Sequence, residues 1–273
     1  MAQNYLRNPV VAGQFYPSNK RDLNAMISSF EDRRAVKKDV IGAILPHAGY
    51  LYSGKVATET ISGINIKDNL ILLGTNHTGL GADFSIIPKG TWKTPLGNVD
   101  INDKLAGLFL NRSELLEVDI TAHQDEHSLE VELPILQYFR NDFRIVPIAI
   151  KSFNLLSLKE LAEGLADVIK KNSLRESVLF IASSDLNHYE PQEISKKKDS
   201  LAIEAIVALD EDRLEIVIRD SDISMCGFAP VAVLIKTAKL LGAKGAQLIK
   251  YQTSGQVNND MNSVVGYAGI TIY

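Results

Sequence analysis

Three apolar runs in this chain end in the same way, and that repetition limits the folds open to it. Residues 40–46 lead into His47, residues 70–75 into Asn76 and His77, and residues 178–184 into Asp185, Leu186, Asn187 and His188. Each run is short, rich in branched residues and unbroken by charge, as expected of strands buried on both faces of a parallel sheet. In such sheets ligands bind beyond the carboxyl ends of the strands, where the chain turns into loops. Three of the five histidines are therefore expected along one edge of one sheet.

The rest of the chain alternates between strand-like and helix-like patterns. Helices are expected over 54–61, from an Asn102 cap through Leu110, over 128–139, along the stripe Leu158, Leu161, Leu165, Val168 and Ile169, and over 191–209, 213–219 and 229–241. Pro134 counts against an unbroken 128–139 helix, because a proline inside a helix removes a hydrogen bond. Further strands are expected over 84–88, 143–150, 246–253 and 263–272, with a turn-rich segment at 94–97. This alternation predicts an α/β fold: one domain over residues 1–273, with a central, mostly parallel or mixed sheet and helices on both faces.

Composition removes several classes of function. A net charge of −4 leaves no basic footprint for nucleic acid. No apolar run approaches the ~20 residues that span a bilayer, and residues 1–13 lack the basic and apolar segments of a secretory signal. A single cysteine, Cys226, excludes an intramolecular disulfide and fits a reducing cytoplasm. The charge clusters at 31–38 and 195–199 read as solvated loops or helix faces.

The residues able to do chemistry are His47, His77, His123, His127, Asp185, His188 and Cys226. One strand-end histidine reads first as a hydrogen-bonded, half-buried side chain, whereas two on neighbouring strand ends read equally well as metal ligands. Cys226 precedes the expected 229–241 helix, whose free amides favour a thiolate, although a lone cysteine is more often a small buried hydrophobe. Two histidines and a thiolate suit zinc, copper or iron without choosing among them. A histidine oriented by a carboxylate suits proton transfer, which makes Asp185 and His188 the candidate acid/base pair. His127 lies one helical turn from Glu130, and the two are expected to brace each other or cap a helix. His123 is left as a surface or supporting residue. Tyr16, Tyr50, Tyr52 and Tyr189 are candidate aromatic walls of the cleft.

Several longer motifs occur in order: VAGQFYP at 11–17, LPHAGYLYSG at 45–54, LGTNHTG at 73–79, EHSLEVELP at 126–134, SSDLNHY at 183–189 and MCG at 225–227. Together they resemble the Memo family, whose microbial members are called AmmeMemoRadiSam system protein B. The resemblance implies a fold like the class III extradiol dioxygenases of the protocatechuate dioxygenase β-subunit type, which hold non-haem iron with two histidines and a glutamate. It implies His47 and His77 as metal ligands, with Cys226 in place of the carboxylate, and His188 as the acid/base with Asp185 beside it. His127 joins these as a further candidate catalytic residue. The cysteine is a departure, since a thiolate is softer and more easily oxidised than a carboxylate. Iron or copper is the implied cofactor, with a site that holds no metal after purification left open. Metal-dependent redox chemistry is one expected function, and binding of a peptide or small anion without turnover is the other. The expected partner is a small molecule or peptide, with neither nucleic acid nor membrane, and a homo-oligomer stays open.

Overall fold

The computed structural model describes residues 5–273. The N-terminal half runs β1 (Tyr5–Arg7), α1 (Lys20–Phe30), β2 (Gly42–Leu45), α2 (Gly54–Ser62), β3 (Asn69–Thr75), β4 (Phe84–Ile86), β5 (Gly90–Thr94), β6 (Gly97–Asp100) and α3 (Asp103–Arg112). It continues with β7 (Glu117–Val118), α4 (Thr121–Gln124), α5 (Glu132–Phe139), β8 (Arg144–Ile150) and α6 (Leu155–Lys171). The C-terminal part comprises β9 (Val178–Ser183), β10 (His188–Glu190), α7 (Gln192–Val207), α8 (Glu211–Asp220), α9 (Phe228–Leu240), β11 (Ala246–Thr253), α10 (Gly255–Asn258) and β12 (Val264–Ile272).

Nine strands form one mixed sheet in the order β10-β12-β2-β9-β3-β8-β4-β7, with β11 paired to β12. Its centre, β2-β9-β3-β8, is all parallel, so four carboxyl ends point to the same edge. Successive side chains of a strand face opposite ways, and here both faces are covered. Ile71 and Leu73 pack into one core with α6 and α9, while Leu70 and Leu72 pack into the other with α1 and α2. Unbroken apolar runs are what this burial requires.

Helix starts follow local chemistry. The Asn102 side chain accepts from the Leu105 amide, and Asn154 and Asp210 cap α6 and α8 in the same way. α5 begins at Glu132 rather than at 128, which puts Pro134 in the first turn, where its missing N–H costs no hydrogen bond. The 195–199 cluster lies on α7 as expected, but only its lysines are solvated. Ser195 and Asp199, one turn apart, are fully buried, and Asp199 accepts from the Tyr251 hydroxyl at 2.6 Å. Among the elements with no counterpart in the sequence reading are α1 and a small sheet β1-β5-β6.

The small sheet is bolted to the molecule by Arg7, a buried cation 4.3 Å above the Trp92 ring. Arg7 Nη1 lies 2.6 Å from Glu130 Oε2, and its other nitrogens donate to the His123 and Glu126 carbonyls. Glu130 in turn accepts from the Val10 and Val11 amides and from the Tyr16 hydroxyl. It is therefore Arg7, not His127, that Glu130 engages. His123 is no surface residue either, being fully buried, and its Nδ1 has no hydrogen-bond partner among the described residues.

Removing one partner of a buried ion pair leaves the other uncompensated, so Arg7→Met should lose about 3–5 kcal/mol in urea unfolding. Burial holds His123 at about 4, below its unfolded value of 6.5. The unfolded chain therefore binds the extra proton, and stability falls as pH drops from 6.5 towards 4, by up to about 3 kcal/mol. His123→Gln should flatten that acid limb in thermal unfolding, and an unchanged limb would assign it to other groups.

Candidate metal centre

β9 lies between β2 and β3, so the loops after the two outer strands face each other across the end of the middle one. His47 follows β2 and His77 follows β3, and their ring centroids are 5.1 Å apart. Cys226 arrives from the far side of the sequence, just before α9. A nitrogen of each ring and Cys226 Sγ lie within 4.8 Å of one another. Two glycines allow this approach. A Cβ on Gly227 would sit 2.5 Å from the Ser183 carbonyl oxygen, and one on Gly74 would sit 2.6 Å from Ser128 Oγ.

Each imidazole is anchored through Nδ1. His47 Nδ1 is 2.8 Å from Ser183 Oγ, which leaves Nε2 facing Cys226 Sγ at 3.3 Å. His77 Nδ1 is 2.9 Å from Glu126 Oε1, and Glu126 Oε2 also accepts the His77 amide. Burial alone would raise the Glu126 carboxyl. Its contacts with His77, the Ser128 amide and His127 outweigh that and hold it at about 2, fully ionised. For His47, burial and then the neighbouring His77 and His127 depress basicity, so its ring is neutral. Neutral imidazoles with one nitrogen tied to an oxygen partner and the other free are what a metal ion needs from histidine.

His127 completes the cluster. Its ring stacks on His77 at 4.7 Å and meets His47 edge-on at 5.5 Å, with Phe15 edge-on at 5.1 Å behind it. Its Nδ1 lies 3.6 Å from Glu126 Oε1, so His77, Glu126 and His127 make a second compact donor group.

The remaining candidates are placed differently from expectation. Asp185 Oδ1 accepts from the His47 and Ala48 amides, at 2.9 and 3.3 Å, so this carboxylate braces the ligand loop instead of orienting His188. Burial raises it to about 7 despite those amides. His188 is oriented by Ser224: its Nδ1 is 2.9 Å from the Ser224 carbonyl, which only accepts, so Nδ1 carries the proton. Burial lowers the basicity of His188 too. Tyr16 and Tyr50 are buried rather than walls of an open cleft. Both are core residues, donating to Glu130 and to the Val131 carbonyl. Tyr189 is 77% exposed and holds a left-handed φ of 60° beside His188.

The surroundings of Cys226 favour the thiol over the thiolate. Burial first, and then the Asp185 charge, push the thiol far up, outweighing the Asp185 amide that points at Sγ from 3.3 Å. Sequence reasoning missed Glu126, Ser128 and Ser183. Glu126 and Ser128 flank His127 within one motif, and that adjacency was the available signal.

Fold and site together define an α/β protein with a His–His–Cys donor set at the carboxyl edge of a mixed sheet. The family model described as Memo-like protein matches residues 7–271. A MEMO1 family protein of Methanopyrus kandleri is 38% identical over 278 residues, covering 97% of this chain and 98% of its own. Relatives from Desulfurococcus amylolyticus and Methanosarcina barkeri, also MEMO1 family proteins, are 41% and 40% identical over 98% of the chain and 99% and 100% of their own lengths. The chain belongs to the Memo family.

A thiol held this high reacts slowly. In metal-free protein at pH 8, Cys226 should alkylate with iodoacetamide at least about tenfold slower than free cysteine, since thiolate is the nucleophile. Urea should restore the ordinary rate. Equal rates in the folded and unfolded states would contradict the raised thiol.

Proposed function

We propose that His47, His77 and Cys226 hold iron or copper, and that this Memo family protein performs metal-dependent redox chemistry on a small molecule at the sheet edge. The observation that carries the reading is the matched anchoring of the two rings, Nδ1 of His47 on Ser183 and Nδ1 of His77 on Glu126, beside a sulfur within 4.8 Å. A bound ion supplies the electron-transferring centre and keeps the coordinated cysteine as thiolate. The departure from a two-histidine, one-carboxylate set makes extradiol cleavage the less suitable chemistry for the same dioxygenase-like scaffold.

The chain's own residues supply the rest. His188, neutral and with its proton fixed on Nδ1, offers Nε2 to take up a proton from substrate. His127 is a second neutral imidazole on the same edge, since burial lowers its basicity. Asp185 holds the backbone of His47. Among the described residues no helix is long and apolar enough to cross a membrane. That and the single cysteine support a cytoplasmic protein acting on a soluble molecule.

A second reading, a peptide- or anion-binding cleft without turnover, draws on Tyr189. An exposed aromatic held in a strained backbone conformation next to His188 suits a ligand clamp.

Metal analysis after anaerobic purification tests the main reading. The native chain should carry near-stoichiometric iron or copper, and Cys226→Ser should lose most of it. Native protein without a redox metal sinks the proposal. Ligand binding that survives in a metal-free His47→Ala variant would favour the cleft.

A further inference from the structure

Glu132, the first residue of α5, is fully buried. Its Oε1 lies 2.8 Å from Ser183 Oγ, while Oε2 has no polar partner among the described residues. Ser183 Oγ also lies 2.8 Å from the Ser128 carbonyl and 2.8 Å from His47 Nδ1. Three polar neighbours thus surround one hydroxyl, which donates once and accepts twice.

That arithmetic assigns the protons. The Ser128 carbonyl only accepts, so it takes the Ser183 proton. The other two neighbours must then donate to Oγ, which requires N–H at His47 Nδ1 and O–H at Glu132. Burial agrees, pushing the Glu132 carboxyl well above the carboxylate range. The opposite assignment would place a negative charge in the core with one oxygen bare, a burial that costs several kcal/mol.

We propose that Ser183 and Glu132 act together as positioning residues that hold the His47 proton on Nδ1 and keep Nε2 bare and aimed at Cys226. Glu132 fixes the Ser183 hydroxyl from behind, and Ser183 fixes the ring. The consequence for metal binding rests on the metal-centre reading, but the proton assignment does not.

The test uses the full-length chain. In metal-free protein labelled with 15N-histidine, the His47 shifts should show a protonated Nδ1 and a bare Nε2. Glu132→Gln, whose amide still donates to Ser183, should keep that pattern. Ser183→Ala and Glu132→Met should give mixed tautomers and bind cobalt(II) about 10- to 100-fold more weakly, the usual loss when a ligand's supporting partner is removed. Glu132→Met replaces an incompletely bonded acid with an apolar group of similar size, so folding should survive. Parent-like tautomer and parent-like cobalt affinity in either Ser183→Ala or Glu132→Met overturn the proposal for that residue. A parent chain that shows the assigned tautomer yet takes up no cobalt through Cys226 sinks the metal-centre reading and leaves the positioning assignment standing.

Discussion

The buried pair of Arg7 and Glu130 holds together parts of the chain that would otherwise be independent. Arg7 spends its donors on Glu130 and on the carbonyls of His123 and Glu126, so one guanidinium ties β1 to both ends of the segment carrying Glu126 and His127. Glu130 answers with the Val10 and Val11 amides and the Tyr16 hydroxyl. Charges taken out of water need hydrogen-bond partners, and here each guanidinium nitrogen and both Glu130 oxygens have one. The Glu126 carboxylate sits where it does because the carbonyl of its own residue is held by that cation.

From there the order of the sheet does the rest. With β9 between β2 and β3, the two histidine loops are spaced by one strand width on either side of Ser183. Leu45 and Ser183 are partners in the β2–β9 register, which brings the serine under His47. The donor set is then a property of strand order and register rather than of any local sequence pattern, which is why no short metal-binding motif marks it.

Much of this was readable from sequence, and the parts that were not share a cause. The central strands, their shared carboxyl edge and the gathering of His47 with His77 follow from apolar runs ending in histidine. The helix start at Asp103 was legible because its Asn102 cap acts locally, whereas the start at Glu132 falls four residues after the expected one. Hydrogen-bond partners were not. Asp185 looks in sequence like the companion of His188 and serves His47 instead; Glu130 looks like the companion of His127 and serves Arg7. Proximity along the chain says little about which way a side chain turns once strands 100 residues apart pack together. The β1-β5-β6 sheet was invisible for a similar reason: β1 has three residues, and its parallel partner lies more than 80 positions away. At Cys226 two readings were open in the sequence, a thiolate at the helix amides and a small apolar side chain, and the surroundings favour the neutral thiol.

His47 Nε2 and Cys226 Sγ, which face each other at 3.3 Å, belong to residues 179 positions apart. In the unfolded chain a loop of that length keeps them dispersed, and closing it carries an entropy cost that grows only as the logarithm of its length. An ion that needs both has almost no affinity for the unfolded chain, so its binding free energy adds to the stability of the whole fold, not of one segment. An ion held by both would therefore act as a staple between the first third of the protein and the last.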